Sequence, residues 1–369
     1  MARRLLLLAG LAIVVVLLFH GTGWGVTAMF AWAERSLPAG TDTSAASPSL
    51  GYLLLRLIQQ FAVFSVPAFL FVSGVFVLFA TPRNRSAPGW NVIGGRVVWL
   101  LIPYLVWTGI GWVGFWLLGK TVPPGGYARM LLTGSTNPAY YYVPVLVQLY
   151  LLSPLLIRWG KAHWPSLVAA TALLQGSVVT VPYLVGLGLP MAQSLGSRIL
   201  VPKWLFVGYV FWFALGIVLA ERLPRWRDNL RRWRWGLLAA SVVLLGIGVT
   251  TVEWMQAHSG TTWPDHPTNL VDMAYTAAVL LAFVGFAEAG MRRSPPLETL
   301  GARSYGIYLV HPWAMEVFAR GVYHFVPRLL AFPLLFAGAV AGIGLAIPLA
   351  LMAITRRSPL RPAYRHLYG

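Results

Sequence analysis

Apolar runs of about twenty residues, long enough to cross a ~30 Å hydrocarbon core as a helix, recur along the chain with short polar breaks. They predict helices near 5–32, 51–80, 97–118, 141–157, 165–188, 204–220, 236–256, 269–289, 304–323 and 331–354. The fold class is therefore all-α integral membrane: a bundle of about ten transmembrane helices forming one domain over 1–369, with no soluble domain. The breaks Ser36–Ser49, rich in Ser, Thr, Ala and Pro, and Thr121–Tyr142, rich in Gly, Pro and Tyr, read as water-facing connections. Ala31-Trp32-Ala33 offers a small-x-small cleavage pattern. The run before it exceeds the ~7–15 apolar residues of a secretory leader, so it is expected to stay as the first helix.

Charge turns this pattern into a topology. Charged residues make up 10% of the chain and hydrophobic ones 58%, whereas a soluble domain carries about a quarter charged. The net charge of +18 does not signal nucleic acid, because no soluble segment is long enough to fold into a basic face. With a cytoplasmic N-terminus, 20 of the 28 Lys and Arg fall in the segments that alternate to the inner side and 7 in the outer ones, leaving Arg56 within a helix. Both termini are then cytoplasmic, as in a multi-pass protein of the cell inner membrane, and the lipid bilayer is the first partner. The 17 Trp gather near predicted helix ends as interfacial anchors. The chain has no cysteine, which excludes disulfides, thiolate metal sites and a cysteine nucleophile; no metal is expected.

Against this background, ionisable groups inside the runs stand out, since each needs a partner, a wet cavity or a task. His20 lies in VVVLLFHGTGWG, followed by Gly21, Gly23 and Gly25, where a substrate or a second backbone has room to approach. Counting ~1.5 Å per residue, His20 lies about 24 Å beyond Arg4 and His311 about 12 Å beyond Arg303, so the two are not expected to pair. His311 reads as a packing residue. Arg56, Gln59 and Gln60 enter the outer half of the second run, Arg56 within snorkelling reach of the interface. With Glu253, Asn269, Asp272 and Glu316 they are candidates to line an outward-facing polar pocket. On the inner side, Arg96 and Arg303 open predicted helices, where the dipole disfavours a cation and a bound phosphate would reconcile the two. Contact with lipid head groups is the plainer explanation of either.

Four strings, VPAFLFVSGVF, RVVWLLIPYLVW, YYYVPVLVQLYLLSPLL and SYGIYLVHPW, follow one another in the order and spacing of the bacterial acyltransferase family 3, which the chain resembles over most of its length. The resemblance implies a membrane O-acyltransferase that takes an acyl group, commonly acetyl, from cytoplasmic acyl-CoA to a hydroxyl of an extracytoplasmic sugar, polysaccharide or lipid-linked saccharide. It implies that His20 matches the helix-one histidine, that Arg96 matches the helix-three arginine, and that Tyr308, Leu309, His311 and Pro312 match the late YLxHP. Two positions depart from it: Ala9 and Trp99 stand where many members carry arginine, which leaves Arg96 and Arg303 as the donor-phosphate candidates.

Acyl transfer to a sugar hydroxyl needs a base and a group that stabilises the oxyanion on the thioester carbonyl. His20 is assigned as the base, with direct attack on the thioester preferred to an acyl-histidine. Arg56, Gln59, Gln60, Asp272 and Glu316 are the candidates for acceptor or oxyanion contacts. The rival readings are a transporter or flippase of saccharide precursors, against which stands the lack of repeat halves, and a non-catalytic partner in polysaccharide export.

Overall fold

The computed structural model describes residues 2–36, 49–82, 84–186, 202–259, 268–290, 292 and 294–369. It is helical, with no strand among the described residues: α1 Ala2–Ser36, α2 Leu50–Ala62, α3 Ser65–Phe79, α4 Trp90–Leu117, α5 Pro124–Thr133, α6 Tyr142–Gly186, α7 Val210–Ser259, α8 Leu270–Glu288, α9 Pro295–Ala302, α10 Ser304–Phe325, α11 Pro333–Arg357 and α12 Tyr364–Tyr368. Among the described residues, seven stretches are long and apolar enough to cross a membrane: Arg3–Trp32, Leu50–Phe79, Trp90–Leu117, Tyr142–Val185, Val210–His258, Leu270–Glu288 and Pro333–Arg357. The chain is a multi-pass, all-helical membrane protein. The predicted connection over 36–49 falls almost wholly outside the described residues.

The seven differ from the ten predicted helices because two of them each cover a pair, and because the predicted 304–323 element, present as α10, is less apolar than the others. In α6 the pair is separated by a non-helical residue, His163 (φ −140°, ψ 64°), two residues before Pro165. α7 spans 50 residues without such a residue, yet it cannot be straight. A straight helix would put Gly216 and Gly248 about 48 Å apart. Gly216 lies against Phe71 and Gly248 against the Gln60 side chain, only eleven residues away along α2 and α3. α7 therefore bends back on itself, and Pro224 is the residue inside it that cannot donate to the preceding turn.

Proline also explains why the predicted 51–80 helix is two. Pro67 has no amide for the Val63 carbonyl and its ring crowds that oxygen, and the helix breaks at Val63-Phe64. Ser49 caps the start of α2 by accepting from the Tyr52 amide at 3.2 Å. The predicted loop 121–142 contains α5, which ends at Gly134 in the left-handed region (φ 71°), where an added Cβ would strike the Tyr140 backbone.

Two packings position the functional residues. α1 lies along α9 and α11, and Gly10 of α1 meets Gly301 of α9 so closely that a Cβ on either would overlap the carbonyl of Leu297 or Leu6. Further along, Gly21 and Gly25 face Ala337 of α11. The main apolar core runs through α3, α4, α6, α7 and α8. One end of the bundle is basic: Arg4 and Arg227 both reach Glu288, at 3.0 and 2.6 Å, and Arg303 lies at the level of the Gly10–Gly301 contact.

Candidate active site

The Gly10–Gly301 contact sets a register that residue counting from the nearest arginine misses. From Gly10 to His20 and from Gly301 to His311 the distance is ten residues in each case, so both rings arrive about 15 Å beyond the contact. Their centroids are 5.2 Å apart with planes at 39°. The expectation that the two histidines stay apart is therefore corrected. Arg303 lies deeper along α1 than Arg4 does, and the two are not a common zero.

His311 is fully buried, and its Nδ1 donates to the Ile307 carbonyl at 3.2 Å. That bond fixes the tautomer with the lone pair on Nε2, an atom buried with no hydrogen-bond partner among the described residues. His20 is half-buried, with Phe19 edge-on at 5.6 Å. Of the glycines after it, Gly21 and Gly25 admit the close approach of a second backbone, that of α11, and Gly23 has open space around its Cα.

An aromatic wall backs His311. Tyr308 stands 6.0 Å from it, with Tyr305 stacked at 6.1 Å behind and Tyr142 edge-on at 5.5 Å. The hydroxyls are engaged by backbone. Tyr308 donates to Ala139 O and Tyr305 to Leu100 O; Tyr104 donates to Leu131 O at 2.7 Å and Tyr140 to Leu309 O at 2.6 Å, while Trp313 Nε1 donates to Tyr140 at 2.7 Å. These bonds tie α10 to α4 and to the segment before α6, so the helix that carries His311 is held from two sides. Sequence reading singled out Tyr308 alone among them. Tyr104, Tyr140 and Tyr305 were visible only as members of the recognised strings, because a buried tyrosine's partner here is a carbonyl, which no side-chain pattern reveals.

At the opposite end from the basic residues, α2, α7 and α8 bring together most of the predicted polar set. Arg56 is 1% exposed and does not snorkel. Its Nε donates to Glu253 at 2.8 Å, Nη1 to Gln59 at 3.2 Å and Nη2 to the Tyr52 hydroxyl at 3.1 Å. Gln60 donates to Asp272 Oδ1 at 2.7 Å, and Asp272 also accepts from the Asn269 amide in a capping box that starts α8. Gly25 of α1 approaches Leu55, which puts Arg56 about 8 Å beyond His20 along α1. Glu316 does not join this network: it pairs with Arg320 of its own helix at 2.8 Å.

The arginines at the basic end are placed differently from the dipole argument. Arg96 is the seventh residue of α4, past the first turn, because the helix starts at Trp90. It donates to the Phe76 carbonyl at 3.0 Å and lies 5.7 Å from the Tyr150 ring. Arg303 is the non-helical joint (φ −106°, ψ 3°) between α9 and α10, so it faces the C-terminus of one helix as well as the N-terminus of the other. It lines a cleft of about 450 Å³ with Glu298, Arg356, Tyr364 and Tyr368, a cleft that Arg96 does not reach. Beside Trp99, where the resemblance led to an arginine, Arg365 of α12 lays its guanidinium 3.6 Å from the ring centroid.

The family model described as an acyltransferase domain matches residues 4–350, so it takes in α1 through most of α11. The chain belongs to acyltransferase family 3. This acyltransferase carries both histidines, the aromatic wall, the Arg56 network, Arg96 and Arg303 inside the matched region, while Arg356 and α12 lie beyond it. No curated protein and no solved structure matches the family 3 chain.

Proposed function

We propose that this acyltransferase moves an acyl group, acetyl in the simplest case, from cytoplasmic acyl-CoA to a hydroxyl of an extracytoplasmic sugar or lipid-linked saccharide, with His20 as general base. The observation that carries the reading is the contact of His20 with His311 inside the bundle, between an end rich in arginine and an end with a buried polar network. His20 takes the proton of the acceptor hydroxyl as its oxygen attacks the thioester carbonyl; the C–O bond forms, the C–S bond breaks, and the proton passes to the leaving thiolate. His311, with its lone pair in a ring lying against His20, positions that imidazole and stabilises the imidazolium formed in the step.

Arg96 and Arg303 serve the donor, whose phosphates are the anions arginine receives well. Cytoplasmic termini would put those residues on the side where acyl-CoA is made. Arg56, Gln59, Gln60 and Asp272 face the acceptor side, and Glu316 is dropped from that set because its partner is Arg320. Inside-out vesicles given radiolabelled acetyl-CoA test the reading. Label is expected on an extracytoplasmic lipid or glycan; vesicles that bind the donor and transfer no label would overturn it.

A further inference from the structure

The cleft beside Arg303 is not explained by the histidines. Its walls come from three elements: α9 with Glu298 and Thr299, the end of α11 with Met352 and Arg356, and the closing segment with Tyr364 and Tyr368. Arg303 makes no side-chain hydrogen bond or ion pair among the described residues, and Arg356 meets the Tyr364 ring at 4.4 Å without an acidic partner. Glu298, the carboxylate on the wall, is paired with neither. Two guanidinium groups that line one cleft without pairing to its carboxylate draw an anion into it.

The segment that closes the cleft is docked. Trp107 of α4 donates to the Leu367 carbonyl at 2.9 Å, Tyr368 is 5% exposed with its hydroxyl 3.1 Å from Thr355 Oγ1, and Arg365 and His366 both lie on Trp99. These contacts set the Tyr364 ring under Arg356. From Arg303 to His311 is eight residues of α10, about 12 Å, past the Tyr305 and Tyr308 rings. A flexible thioester arm anchored in the cleft has only that distance to cover.

We propose that this cleft binds the phosphate-bearing nucleotide end of the acyl donor, with Arg303 and Arg356 as phosphate ligands and Tyr364 holding the Arg356 guanidinium in place. The proposal rests on the reading of the donor as a coenzyme A thioester and adds to Arg303 two residues beyond the matched family region, Arg356 and Tyr364. The chemistry recognised is a phosphoryl anion, which an anionic lipid headgroup also carries, so the test separates the two.

Coenzyme A is titrated into the full chain in uncharged detergent, and phosphatidylglycerol vesicles are titrated in parallel, for wild type, Arg303→Gln, Arg356→Gln, Tyr364→Leu and Arg357→Gln. Arg357 is exposed and does not line the cleft. Arg356→Gln is expected to weaken coenzyme A binding by about tenfold and Tyr364→Leu by less, with Arg357→Gln within about twofold of wild type. Ligand-free melting temperatures of all five should agree, which separates lost binding from lost folding. Arg356→Gln binding coenzyme A as wild type does, while Arg303→Gln binds it weakly, would overturn the cleft and leave the donor reading standing. Arg356→Gln losing only phosphatidylglycerol would make this a lipid site and overturn it equally. A wild-type protein that does not bind coenzyme A at all would remove the donor reading first, and this assignment with it.

Discussion

His20 separates structural from chemical use of an imidazole, because Gln replaces its hydrogen bond and cannot take a proton at neutral pH. His20→Gln is expected to keep wild-type expression and melting temperature while acyl transfer falls by about a hundredfold or more, the scale for loss of a general base. Retention of most activity would make His20 a packing residue. Arg56 tests the other end. Its guanidinium is buried and reaches Glu253, Gln59 and Tyr52, so removing Glu253 alone takes a carboxylate away from a buried cation. A cycle of Arg56→Met, Glu253→Gln and the double variant, read by unfolding in detergent, should give a coupling of roughly 1–3 kcal/mol; additive losses would show the pair to be worth nothing to the fold. At this scale the sequence was informative about which residues matter and poor about what they touch. His20, Arg56, Gln60 and Asp272 were legible as polar groups in apolar runs. The tautomer of His311, set by the Ile307 carbonyl of its own helix, and the carbonyl partners of the tyrosines, on other segments, were not, since they depend on backbone atoms that no side-chain pattern shows.

Helix register decides whether the histidines meet, and it is set at Gly10 and Gly301, ten residues away from either. Gly301→Val forces α9 away from Leu6 and Gly10, at a cost of about 1–3 kcal/mol for overpacking. Activity should fall further than that loss of stability explains, because His311 moves with the helix joined to α9. A variant as active as wild type at a temperature where it is fully folded would show that the register tolerates the shift. Apolar periodicity placed most helices within a few residues. It missed the break at Val63-Phe64, although Pro67 announced it, and it missed α5 within a Gly- and Pro-rich stretch. It placed the start of α4 at 97 because the first turn, from Trp90, is mixed in polarity, and that error created the apparent cation at a helix N-terminus.

For the whole molecule, the alternation of Lys and Arg predicts which ends share a side of the membrane, and the bundle brings Arg4, Arg227 and Arg303 to one end as that alternation requires. The chain has no cysteine, so single cysteines report on their own. Exposed positions Ala128 and His258 should label from outside the cell, and Arg232 and Arg361 only after permeabilisation. A swapped pair would overturn the topology. The two histidines also come from opposite ends of the chain, on α1 and α10. During synthesis the segment bearing His20 is inserted long before its partner exists, by roughly 15–60 s at ordinary elongation rates. Until α10 arrives, His20 sits in the bilayer without the ring it later lies against. A chain still short of α10 therefore lacks the paired imidazoles on which the proposed base depends, for most of its own translation.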